Sequence, residues 1–118
     1  MDTRIARRGE WIEECRAAIT VCDVQGNILD MNAKAAEVFT KYGGTALIGK
    51  SLLDCHPEPA RTKLRGLLDS GEANIYTIEK DGQKKLIYQM PWYADGRLAG
   101  LVELSLEIPF AMPHFVRE

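Results

Sequence analysis

Several things are scarce or missing in this chain, and each absence narrows what it can be. There are three cysteines, Cys15, Cys22 and Cys55, an odd number with no CxxC pair, which argues against a disulfide framework and for a reducing compartment. Two histidines, His56 and His114, stand far apart, so no clustered metal-ligand spacing exists. No apolar run approaches the ~20 residues that cross a bilayer. The charged opening MDTRIARRGEW is followed by no apolar h-region, so neither a membrane span nor a signal peptide is expected and the expected location is cytoplasmic. With a net charge of −2 there is no basic excess for nucleic acid or an anionic membrane, although Arg4, Arg7 and Arg8 make the first turns locally basic. Serine–histidine–carboxylate spacings and Gly-rich phosphate loops are absent, and no enzyme activity is expected.

What is present is ordinary material for one folded domain: 118 residues, 46% hydrophobic and 27% charged. Residues 2–17 read as an amphipathic helix, capped by Asp2 or Thr3, with Ile5, Ile12, Cys15 and Ile19 at stripe spacing and Trp11 beside them. A lone helix of that length needs a partner surface, either its own sheet or a second copy. Ala18 to Asp23 alternates as a strand, Val24-Gln25-Gly26-Asn27 supplies a turn, and Ile28 to Met31 returns. Asn32 caps a short helix over AKAAEVFTKY that ends at Gly43-Gly44. Cys55-His56-Pro57 opens another helix, because Pro57 lacks an N–H and suits the first helical position. Its stripe is Ala60, Leu64, Leu67 and Leu68. His56 stands at the stripe's head, aimed at the core, where the helix N-terminus favours neutral imidazole. Three strand-like runs follow, Glu72–Glu79, Lys84–Tyr93 and Arg97–Glu107, separated by Lys80-Asp81-Gly82-Gln83 and Ala94-Asp95-Gly96. Alternation puts Leu86, Tyr88, Met90 and Trp92 on one face, and Leu98, Gly100, Val102, Leu104 and Leu106 on one face of the next strand. These apolar faces are expected to meet the helices, and Ile19, Val21, Phe39, Leu64, Leu67, Val102 and Leu104 to be buried. Pro91 requires an edge or a bulge. In the tail IPFAMPHFVRE, Pro109 and Pro113 block a continuous helix, and Ile108, Phe110, Met112 and Phe115 are expected to dock on the domain or on a partner.

The ordered pattern Asp23-x-x-Gly26-x-Ile28-x-x-x-Asn32-x-x-Ala35-Ala36-x-x-Phe39, then Leu47-Ile48-Gly49-Lys50, then the late run GRLAGLVELSL, resembles the PAS sensor domains over about residues 18–107. The resemblance implies an α+β PAS fold, a five-stranded antiparallel sheet in the order 2-1-5-4-3 with short helices on one face and a ligand cavity between them. The division expected is an N-terminal helix for dimerisation or capping at 1–17, a PAS domain at 18–107 and a Pro-containing tail at 108–118. The tail departs from the family's usual C-terminal signalling helix.

The stretch His56-Pro57-Glu58-x-Ala60-Arg61-x-Lys63-Leu64 is similar to the corresponding helix of CO-responsive haem-PAS regulators, which implies haem b with His56 as its iron ligand. Cys-His-Pro also resembles PAS modules of other ligands. The regulators' second ligand, a Met, does not carry over, since Asn74 and Ile75 stand near its place; Met90 is the substitute. The expected cofactor wall is Tyr88, Met90, Leu64, Leu67, Val102 and Leu104. The Asn-Cys-Arg-Phe-Leu motif of flavin-binding light sensors is absent. The function expected is sensing and signal transduction by a small ligand or haem, reported through a homodimer on the N-terminal helix or through a downstream partner. The rival is a ligand-free PAS module for protein–protein interaction.

Overall fold

The structure, a computed structural model, describes residues 9–55 and 57–118, with only the backbone of Cys55. Strands β1 (Ala18–Asp23) and β2 (Ile28–Met31) form an antiparallel hairpin with the boundaries their alternation indicates. Its turn is held by Asp23, whose Oδ1 accepts from the Gln25 and Asn27 N–H groups at 2.9 Å each. Helix α1 (Ala33–Val38) starts at Asn32, whose side-chain oxygen accepts from the Ala35 N–H. Two 3-10 turns, Thr40–Tyr42 and Gly44–Leu47, lead through a loop to α2 (Leu52–Cys55) and α3 (Ala60–Ser70). The meander β3 (Asn74–Lys80), β4 (Gln83–Ala94) and β5 (Arg97–Ile108) closes the fold. Its two connections, Asp81-Gly82 and Asp95-Gly96, place both residues at positive φ, the backbone that a tight two-residue hairpin demands.

The sheet order is β2-β1-β5-β4-β3, all antiparallel, as the resemblance implies. Residues 32–73 therefore pass from one edge of the sheet to the other across a single face. The loop before α2 also covers the outer edge of β2. The Gly49 N–H donates to the Ile28 carbonyl at 2.7 Å and the Ile28 N–H to the Lys50 carbonyl at 2.9 Å, so this edge is not left open. Pro91 fits for a related reason. Strand β3 pairs with β4 only as far as Gln89, so at Pro91 the β4 strand has a neighbour on one side alone.

Two apolar clusters hold the helices to the sheet. Ala18, Ile28, Met31 and Ala35 form one, with Phe39, Leu47 and Leu52 against it. Cys22, Leu64, Leu68 and Leu101 form the other, again with Leu52. A contact two strands wide locks the second. Gly100 has φ 153°, a side chain there would meet the Cys22 carbonyl at 1.8 Å, and the Trp92 indole donates to that same carbonyl at 2.9 Å.

Several expectations need correction. The expected helix over 2–17 lies partly outside the described residues; from residue 9 onward it is one 3-10 turn, Glu10–Ile12, followed by bends. Helix α3 begins at Ala60 rather than Pro57, with Pro59 as its N-cap. Of the residues expected in the core, Leu64 and Leu67 are buried, whereas Ile19, Val21, Phe39, Val102 and Leu104 are half-buried. The tail does not dock on the domain: Phe110, Met112, Phe115 and Val116 are 56–83% exposed and form no helix. Arg65 donates to the Val24 carbonyl at 2.6 Å and ties α3 to the first hairpin's turn.

Candidate ligand cavity

Between the two apolar clusters the helices do not close on the sheet, and a cavity of about 370 Å³ remains. Its helical wall comes from Phe39, Tyr42, Leu47, Leu52 and Leu64. Ile28 and Met31 enter from β2, Thr20 and Cys22 from β1, Leu101 and Glu103 from β5, Gln89 from β4 and Tyr76 from β3. The strand residues share a face because the registers put them there: Asn74 pairs with Gln89, Gln89 with Glu103, Glu103 with Thr20, and Thr20 with Met31. One row therefore crosses all five strands on the helix side.

That row carries the cavity's polarity. Asn74 Nδ2 donates to Gln89 Oε1 at 2.9 Å, and Gln89 Nε2 donates to Glu103 Oε2 at 3.0 Å. Burial, with a smaller contribution from the Glu103 carboxylate, raises the Tyr76 phenol above its ordinary pKa. Burial also pushes the Cys22 thiol up, outweighing the opposing hydrogen bond from the Leu101 backbone, so Cys22 faces the cavity as a neutral thiol. No lysine, arginine or histidine stands among the described lining residues.

A sequence model described as the PAS fold matches residues 12–109. The chain belongs to the PAS family. No protein of curated function matches this PAS domain. Its solved likenesses share the fold at low identity. The PAS domain of a Colwellia psychrerythraea protein is 20% identical with a TM-score of 0.61, over 86% of this chain and 93% of that one. The PAS domain of Bordetella pertussis BvgS is 20% identical with a TM-score of 0.63, over 83% and 81%. The Vibrio cholerae Aer2 receptor, described as a dual PAS-heme oxygen sensor, is 14% identical with a TM-score of 0.59, over 79% and 95%.

Within the PAS domain the expected site residues are dispersed. Leu64 lines the cavity; Leu67 is buried without reaching it. Tyr88, Met90, Val102 and Leu104 alternate with Gln89, Leu101 and Glu103 and so lie on the opposite face of the sheet. His56 lies outside the described residues. The residues missed are Thr20, Cys22, Tyr76, Gln89, Leu101 and Glu103. Alternation shows which side chains share a face, but both faces of this sheet carry large apolar groups, so hydrophobicity alone selects the wrong one. The signal in the sequence that marks the cavity face is the polar row Asn74, Gln89 and Glu103, which the registers align across three strands. Among the described residues, no group of three potential metal ligands occurs, and no helix is long and apolar enough to cross a membrane.

Proposed function

We propose that this PAS signal-sensing domain works by holding a small molecule between sheet and helices and reporting occupancy through association. The observation that carries the reading is the cavity itself. At about 370 Å³ it lies in the roughly 300–1,000 Å³ range of small-molecule sites, and its mostly apolar wall is broken by a few convergent polar groups. The outer sheet face supports the reporting step. Ile75, Tyr88, Leu104 and Ile19 stand in one cross-strand row, with Met90, Val102 and Val21 in the next, an apolar face suited to a second copy with the N-terminal segment. Native mass spectrometry of the protein as purified, compared with the denatured chain, tests the binding step. Extra mass lost on denaturation is expected. A bare chain that also takes up nothing from a small-molecule panel leaves the ligand-free interaction module as the better reading.

Haem b on His56 is a second reading, favoured by the Cys55-His56-Pro57 resemblance and by the likeness to Aer2, a PAS-heme oxygen sensor. The described lining does not fit it. Met90 is on the far face, and the cavity offers a carboxylate but no cation for the propionates. Reconstitution decides it: a Soret band lost in His56→Ala supports haem, and no band in the wild type ends it.

A further inference from the structure

The amide row on the cavity's sheet wall has a direction. Gln89 must turn its NH₂ toward Glu103, because its carbonyl oxygen there would face a carboxylate, and Asn74 then donates to the Gln89 oxygen left behind. Both amides are thereby committed, and the chain of donors ends on Glu103, which can only accept when ionised. One Glu103 oxygen is bonded to Gln89; the other has no protein partner among the described residues. Glu103 is half-buried in a mostly apolar wall, and the described lining supplies no cation to pair it.

We infer that the ligand of this cavity is a small amine, its ammonium group on the open oxygen of Glu103 and a compact apolar body against Leu52, Leu64 and Leu101. Carboxylates and phosphates are rejected by the same charge. This rests on the cavity reading above and narrows it to one chemical class.

The test uses the full chain and three probes of similar shape: 2-phenylethylamine, 2-phenylethanol and 3-phenylpropanoate, titrated by ligand-observed NMR into the wild type and Glu103→Gln. A charge-assisted hydrogen bond predicts that the amine binds roughly ten- to a hundredfold more tightly than the alcohol, and the carboxylate more weakly than either. Glu103→Gln keeps an acceptor for Gln89 and is expected to remove most of the amine's preference over the alcohol. The wild-type ranking of the probes tests the inference even if the variant fails to fold. A carboxylate that binds as well as the amine, or an amine indifferent to Glu103→Gln in a folded protein, overturns it. Alcohol binding with no amine preference overturns the amine class and leaves the cavity reading standing. No binding of any probe by the wild type overturns the amine inference and leaves the cavity reading to the native mass measurement.

Discussion

At Asn32 one side chain joins three parts of the chain. Its oxygen accepts from the Ile19 and Ala35 N–H groups at 3.0 Å each, and its nitrogen donates to the Ile12 and Ala17 carbonyls at 2.8 Å each. The residue is 3% exposed, so water cannot replace these bonds without reorganisation. Asn32→Ala is expected to cost about 2–4 kcal/mol, a lost cap plus buried groups left unpaired, read as a lower denaturation midpoint. Asn32→Asp keeps the cap but sets a carboxylate oxygen against two carbonyls, and should also destabilise. A second prediction concerns Asp23. Its partial burial opposes ionisation, but hydrogen bonds from Asn27, Gln25 and Gly26 outweigh that and hold its carboxyl below the usual value. The stability it contributes is complete above the ordinary carboxylate pKa of about 3.9 and is lost as the pH falls through the depressed folded value. The difference in stability between wild type and Asp23→Asn should therefore be flat near neutrality and shrink in acid. A difference that grows in acid contradicts this origin.

At the scale of elements, α3 separates packing from lining. Leu68 sits inside the cluster with Cys22 and Leu101, whereas Leu64 also faces the cavity. Truncating a fully packed Leu costs about 2–5 kcal/mol, most where neighbours cannot collapse. Leu68→Ala should fall in the upper part of that range and Leu64→Ala in the lower, measured by urea unfolding; equal losses would mean that Leu64 is packed on all sides. The strands were legible in the sequence because each cue was local, namely alternation, the Asp-Gly turns, and Asn32 as a cap, whereas their order came from the family resemblance, since β1 pairs with the distant β5. The start of α3 was not. Pro57 and Pro59 both satisfy a first-turn preference, and nothing local in the sequence chooses between them. The cavity wall was not legible either, because Gln89 and Glu103 become an inner row only when paired across strands whose outer face is equally apolar.

For the whole molecule, the sheet divides two tasks. Its inner face lines the cavity, and its outer face carries Tyr88, Met90, Val102 and Leu104, half-buried and available to a partner surface. Residues 1–8 adjoin that proposal. Removing them leaves the Ile12 contact to Asn32 in place, so the fold should survive while the mass seen by light scattering falls. An unchanged mass would take the segment out of the interface. Cavity occupancy is the more central claim, and filling the space tests it most directly. Leu64→Trp puts an indole into the cavity at an overpacking cost of about 1–3 kcal/mol, which a thermal melt can show the fold tolerates. Titrated with 2-phenylethylamine, the wild type should bind with saturation and Leu64→Trp, still folded, should not. Equal binding by the two proteins would place the ligand somewhere other than between sheet and helices, and contradict the account.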